Sequence, residues 1–485
     1  MLCCISSFGQ TDPLERIIST DQLKHDFEIL ASTLEENHPG LHLYSSPNEI
    51  HNVLHPELNK KEYTLREALT LLAAAVDQIH DGHTNLLAGD YITGDILARQ
   101  KFFPFTLRIA DGRAYVNHNF SEYDFLERGT EIVSINHQSI DEILAELKPF
   151  ITCDGYDREA KLEQLEGQFW WYYGLRYGYR ETFVIRYREY GSSDVKHLVN
   201  AALTYSDRFD MLSEVYGFDW EPDEKMSFTI HEDVAILTVN QFHGMSKVVY
   251  SAFLESTFKR MRKNDVEHLV IDIRKNGGGR EGFENILFSY LPNEMICKYD
   301  EIYALNMQTE SYAYLEHGGR NRIQDWLYRS FEYHQDGQEW KRRRPRFLST
   351  LQPREQQFEG QVYLLVGGQV FSSAADFAAM CKEYVDNCSL IGTETLGGCV
   401  SNTSGYFYRL VLPHTGFEVE IPRVHFRLNI PADNPGGGVL PDYFVDFEIE
   451  NFVNGLDGHL KLAYELIGRK ERSQFDIETA EAKLH

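Results

Sequence analysis

The sequence predicts a mixed α/β protein built from several domains. Its 485 residues exceed what one ordinary core organises and suggest about three domains at roughly 150 residues each. From about Asp210 onward, short apolar β-prone runs alternate with stretches of helical spacing, the pattern of an α/β core. In one such pair Gln361–Val366 reads as a buried strand, while Ala374, Phe377, Ala378, Cys381 and Tyr384 recur at helical spacing. Ser372 and Ser373 therefore fall at a strand-to-helix turn. A serine there can cap the helix, and the free N–H groups and positive dipole end would equally stabilise an alkoxide or oxyanion beside it.

Composition narrows the classes of function. Hydrophobic residues at 42 % and charged residues at 25 % suit a globular protein, and no run of 18 apolar residues supports a membrane span. With 47 basic against 74 acidic residues the net charge is −27, which argues against nucleic acid or an anionic membrane as main partner. The seven cysteines show neither a CxxC pair nor a zinc-type spacing with histidine, so no metal and no other cofactor is expected. Cys381 and Cys388, seven apart, read as core packing rather than a disulfide. Residues 1–10 are apolar with small side chains, like the end of a secretory signal whose basic start is missing, and point to export.

Taken in order, residues 11–98 read as an N-terminal helical domain. One helix carries Phe27, Leu30 and Leu34 and breaks at His38-Pro39-Gly40. A second opens with a capping box, Thr64 and Glu67, and continues as a stripe of Leu65, Leu69, Leu72, Val76 and Ile79. It ends in His80-Asp-Gly-His-Thr84, with Gly82 as left-handed C-cap. Residues 99–205 carry strands at 101–108 and 114–117 around Asp111-Gly112. A third strand at 131–135 leads through Asn136-His137 to a short helix at 141–147, and a fourth at 181–187 follows the aromatic stretch 169–173. Residues 206–470 form the α/β core, with a strand at 234–242, a helix at 245–262, and a strand at 268–274 that runs into Lys275-Asn-Gly-Gly-Gly279. The polar and aromatic segment 303–357 reads as an insertion near a substrate entrance, and 471–485 as a frayed tail.

Three glycines at a strand end let backbone N–H groups approach a ligand closely. If that strand neighbours Gln361–Val366, the glycines and the two serines share one sheet edge.

The block around Gly129-Thr-Glu-Ile-Val-Ser-Ile-Asn-His137 resembles a PDZ-like domain, with Thr130 for the usual Asp and His137 for the usual Gly. Such domains bind extended peptides by strand addition. Asp272-Ile-Arg-Lys-Asn-Gly-Gly-Gly279, Ser373-Ala-Ala-Asp376, Gly392-Thr-Glu-Thr-Leu-Gly397 and Gly438-Val-Leu-Pro-Asp442 together resemble the motifs of the S41 peptidase family, the tail-specific or C-terminal processing proteases and the tricorn-type core. The resemblance implies a ClpP/crotonase-like catalytic core with a PDZ-like β domain and an N-terminal helical domain. It further implies a serine endopeptidase acting on polypeptide in the periplasm or cell envelope.

Counted back from Asp376, the resemblance makes Ser373 the nucleophile, Ala374 N–H one oxyanion donor and Gly277 or Gly278 N–H the other. The processing proteases place their base, a lysine, 25 residues beyond the serine; here Gly398 stands there. The tricorn-like branch instead implies His83 as the base, a role that neutral imidazole suits near pH 7. Asp433 is the candidate third group, with Glu394 behind it, while Asp442, Asp272 and Arg274 read as structural. The rival reading is a non-catalytic binder of peptide or lipophile on the same scaffold, since the resemblance extends to retinoid-binding relatives. An α/β-hydrolase esterase is disfavoured, because no Gly-x-Ser-x-Gly surrounds Ser373. Oligomeric state is not legible in the sequence.

Overall fold

The computed structural model describes residues 12–156, 159–216, 225–343, 350–431, 434 and 436–468. The segments 1–10 and 471–485, and Asp433, lie outside the described residues.

The largest apolar core surrounds a six-stranded sheet. Its order is 226–231, 234–239, 268–272, 361–366, 388–392, 443–444; the first strand is antiparallel to the second and the others run parallel. Leu269, Val270, Ile271, Val362, Leu364 and Leu365 have no exposed surface. The continuous apolar runs follow from burial of both faces of a parallel sheet, each such side chain contributing about 1.5–3 kcal/mol. Asp272 pairs with Leu365 in parallel register, so the chain leaves both strands at the same carboxyl edge. That is where a ligand site forms in such sheets.

A second sheet has the order 333–336, 339–342, 299–304, 418–428, 401–411, and the short strand Asn85–Leu87 pairs with Glu418–Glu420. The segment read from sequence as an insertion supplies part of this sheet. It holds the end of the strand Tyr299–Ala304, a helix at Gly318–Leu327 and the hairpin Tyr333–Asp336/Glu339–Arg342. Its polar composition hides this because the hairpin strands are mostly half-buried or exposed.

The N-terminal helices Thr20–Asn37, Pro47–Leu54 and Leu65–Asp77 each open with the capping box their sequences carry. They share one core with Tyr408, Leu410, Val419 and Ile421 of the second sheet. The helix Leu65–Asp77 stops before the expected cap: His80, at φ 58°, takes the left-handed turn, not Gly82.

Residues 105–201 form an antiparallel sheet under the helices Ile140–Leu147 and Glu159–Tyr177. The aromatic stretch 169–173 lies inside the second of these helices, where Phe169 and Tyr173 are buried one turn apart. Asn136 and His137 both have positive φ, 50° and 72°, which is the two-residue hairpin turn and explains why glycine is usual at the second position.

Candidate active site

Phe371 lies between the strand Gln361–Val366 and the helix Ser373–Tyr384, and Ser372 is the residue that turns the chain. Its backbone is at φ 55°, ψ −130°, a conformation costing a non-glycine residue about 1–3 kcal/mol and held only where the surroundings fix it. They do so here. Phe371 N–H donates to Asn276 O (3.3 Å), Gly397 N–H to Val370 O (3.1 Å) and Asp376 N–H to Ser372 O (3.0 Å). Two glycines clear the space: a Cβ on Gly278 would lie 2.7 Å from Phe371 O and 2.8 Å from Ser372 Cβ, and one on Gly397 3.0 Å from Ser372 N. The three-glycine strand end is thus packed directly against the serine.

The geometry sets His83 against Ser372, not against the expected Ser373. His83 Nε2 lies 3.1 Å from Ser372 Oγ, whereas Ser373 is buried and its Oγ has no hydrogen-bond partner among the described residues. Ser373 and Asp376, three apart, share the inward face of their helix. Asp376 accepts from Asn402 Nδ2 (2.9 Å) and pairs with buried Lys298 (3.1 Å). Only the cap residue, before the helix begins, carries its hydroxyl outward. Ala374 N–H, expected as an oxyanion donor, closes a turn onto Phe371 O at 3.1 Å. Gly278 N–H donates to Asn276 Oδ1 at 2.9 Å. Gly277 opens, with Gly278, Gly279, Lys275 and His243, onto a pocket of about 260 Å³.

His83 reaches the serine from the far end of the chain because its loop is clamped on both sides. Downstream, Asn85–Leu87 is a strand of the second sheet. Upstream, Gly155 N–H donates to His80 O (2.9 Å) and Thr152 Oγ1 to Gly82 O (3.2 Å). A Cβ on Gly82 would run into the Phe371 ring, so close approach is why glycine stands there. The His83 ring packs on Phe371, centroids 4.5 Å apart, with half-exposed Phe407 at 6.1 Å.

Two buried carboxyl groups stand behind His83. Asp81 accepts four hydrogen bonds: Thr403 Oγ1 (2.6 Å) and His83 N–H (3.2 Å) on Oδ1, His38 Nε2 (2.7 Å) and Thr84 Oγ1 (2.5 Å) on Oδ2. His38 Nδ1 accepts Gly40 N–H (3.1 Å), which puts the ring proton on Nε2, pointing at Asp81. Burial alone would raise the Asp81 pKa, but the hydrogen bond from His38 holds it well below the usual carboxylate range. Among the described residues Asp154 accepts only Gly82 N–H (2.8 Å) and Gly398 N–H (3.0 Å). Burial, with the charge of Asp81 behind it, pushes Asp154 up to about 8. Burial likewise lowers His83, against the opposing charge of Asp81, which favours the neutral, proton-accepting imidazole.

Asp81, His83 and Asp154 have metal-ligand chemistry and place one donor atom each within 4.8 Å of one another. With four hydrogen bonds on Asp81, the cluster is built as a hydrogen-bonded site rather than as an ion cage. Of the other candidates, Glu394 braces the last turn through Asn434 Nδ2 (3.1 Å) and Gly438 N–H (2.7 Å). Asp442 accepts Leu390 N–H (2.8 Å), and Arg274 spans Asp272 and Asp457. Cys381 and Cys388 are free thiols. Sequence reasoning missed Ser372 as the half-buried serine that His83 contacts, and Asp154 and His38 altogether. Asp154 lies in an Asp-Gly pair of a loop, which marks a turn and nothing more.

An elbow-borne serine, a histidine on its hydroxyl and a glycine turn thus meet at one edge of the α/β sheet. Residues 233–443 match the family model described as Peptidase family S41. That segment belongs to peptidase family S41, and peptidase is the class of function it carries. No curated protein matches the sequence. Among solved structures the chain is similar to mature CPAF complexed with lactacystin, at 13 % identity over 92 % of this chain and 97 % of that one, with a TM-score of 0.60. Mature CPAF alone gives 13 %, 92 %, 96 % and 0.60, and at this identity the likeness is one of fold. The photosystem II D1 C-terminal processing protease is 13 % identical over 90 % and 98 %, with a TM-score of 0.41. Among the described residues no helix is long and apolar enough to cross a membrane.

Proposed function

We propose that the protein is a serine endopeptidase with Ser372 as nucleophile and His83 as general base. The observation that carries this is the 3.1 Å contact between His83 Nε2 and Ser372 Oγ, made by a serine at φ 55° on a helix N-cap. As Ser372 Oγ bonds to the peptide carbonyl carbon, its proton passes to His83 Nε2. Gly277 N–H and the N–H of Ser373, at the positive end of the helix, face the developing oxyanion; each such donor is worth about 100- to 1000-fold in rate. The tetrahedral intermediate collapses by breaking the C–N bond, the amine leaves with the proton from His83, and water then hydrolyses the acyl-enzyme. In this reading Phe371 and Phe407 wall the cleft beside His83.

The same proposal takes 99–205 as a PDZ-like, polypeptide-delivering domain, 11–98 as the helical domain that supplies His83, and 206–470 as the catalytic core. It places the protein in the periplasm or cell envelope, on the apolar start at 1–10. The test is active-site labelling with a fluorophosphonate alongside cleavage of an unfolded polypeptide. Ser372→Ala and His83→Ala should each abolish both, and Ser373→Ala should retain labelling. Labelling that survives in Ser372→Ala and disappears in Ser373→Ala would restore the other serine. No labelling of the unsubstituted protein would favour the non-catalytic binder.

A further inference from the structure

We propose that Asp154 is the carboxyl group that positions His83, accepting a hydrogen bond from its Nδ1–H directly or through one water. The inference rests on the reading of His83 as the base. When His83 accepts the serine proton at Nε2, the imidazolium must donate from Nδ1 on the opposite side of the ring. That nitrogen is buried and has no hydrogen-bond partner among the described residues. An unpaired buried donor would oppose formation of the cation on which the reaction depends.

Two carboxyl groups are close enough to serve, since a ring nitrogen of His83 and an oxygen of each of Asp81 and Asp154 lie within 4.8 Å of one another. Asp81 is already occupied by its four donors, and a carboxylate offers about four acceptor positions. Among the described residues Asp154 takes a single donor on each oxygen, Gly82 N–H and Gly398 N–H, which leaves one acceptor position on each for a further donor. Gly82 is the neighbour of His83, so the bond that fixes the carboxyl also fixes the start of the histidine's own residue. A span of 4.8 Å or less is bridged by one ordered water or closed by a small rotation of either side chain. Asp154 as a residue is 2 % exposed, which protects that contact from bulk solvent.

Protons distribute accordingly. With one proton between them, the pair is carboxylate, Nδ1–H and a free Nε2 lone pair, which is the competent base. With two, either Nε2 carries a proton or the ring is already cationic, and serine cannot be deprotonated. Activity therefore rises with pH as the pair loses its second proton, with an apparent pKa that belongs to both groups. The groups facing Asp154 are Asp81, Asp376 and the Tyr44 phenol, together with His83 itself.

The experiment measures kcat, KM and the pH–rate profile for Asp154→Asn and Asp154→Glu, using the full chain and a fluorogenic polypeptide. Asp154→Asn should lower kcat by about 100- to 10,000-fold at little change in KM, because the amide favours the wrong tautomer. It should also remove or displace the alkaline-rising limb, with Asp154→Glu recovering part of both. Independently of how either variant folds, unsubstituted protein labelled with ¹⁵N-histidine should show a protonated, downfield His83 Nδ1, identified by its loss in His83→Ala. Wild-type kcat and profile in Asp154→Asn, or an unprotonated Nδ1 throughout the active pH range, would overturn the proposal. Activity surviving in both Ser372→Ala and His83→Ala would instead overturn the reading of the site on which it stands.

Discussion

Substituting Gly278 by alanine tests whether the glycine turn builds the serine elbow. Gly278 is at φ +91°, where a β-carbon costs roughly 1–2 kcal/mol. The atoms that the new methyl meets are mostly backbone: Phe371 O at 2.7 Å, Ser373 N at 3.1 Å, and Ser372 Cβ at 2.8 Å. Ordinary contact needs about 3.5 Å, so the elbow must give way by roughly 0.7 Å. Phe371 and Ser372 cannot move alone, being pinned through Asn276 O and through the first turn of the helix. A displacement approaching 1 Å at a nucleophile is worth about 100-fold in rate. The variant should stay folded, since the strain is a small part of the stability of so large a core, yet lose about 100-fold in kcat/KM and in the rate of fluorophosphonate labelling. Thermal melting run beside the kinetics separates the two effects. A folded Gly278→Ala protein that is labelled and turns over at the wild-type rate would refute the claim that this glycine sets the position of Ser372.

Two further predictions concern the scaffold. Lys298 is fully buried against Glu284 (2.8 Å) and Asp376 (3.1 Å); Lys298→Met strands two carboxyl groups and should cost about 3–5 kcal/mol in urea unfolding, with Lys298→Met/Glu284→Gln losing less. His425 and His459 are both held down to about 4 by burial, against an ordinary 6.5. The unfolded chain therefore binds more protons than the folded one between those values, so stability present above pH 6.5 falls as pH drops through 4, by about 3 kcal/mol for each group. His459→Gln should make that slope shallower in urea midpoints measured from pH 7 to pH 4, and an unchanged slope would exclude His459 from the effect.

The alternation of strands and helices, the capping box at Thr64 and the glycine-ended strand were legible in the sequence as local periodicity and residue type, whereas His83 entered only through the family resemblance and not through any local signal. Nor was the choice between two adjacent serines legible. It depends on the sign of φ at Ser372, which Gly278 and Gly397 impose by packing against it from distant parts of the chain, and no local propensity encodes that. The hairpin Tyr333–Asp336/Glu339–Arg342 was lost for the opposite reason, since it takes its order from the neighbouring strand Tyr299–Ala304 and buries too little to show a period.

Gly398 shows how far local and tertiary readings can diverge at one position. By sequence it is only a missing lysine. In space, a Cβ there would strike Ser401 O at 2.6 Å and come within 3.4 Å of Asp154 Cβ, while the N–H of Gly398 holds the Asp154 carboxyl. The obstacle to a side chain at 398 is therefore the backbone oxygen of Ser401, while the Asp154 side chain sits at ordinary contact distance beyond it. A lysine placed at 398 should shift the turn that carries the N–H on Asp154, and so disturb that carboxyl rather than rebuild a serine–lysine pair.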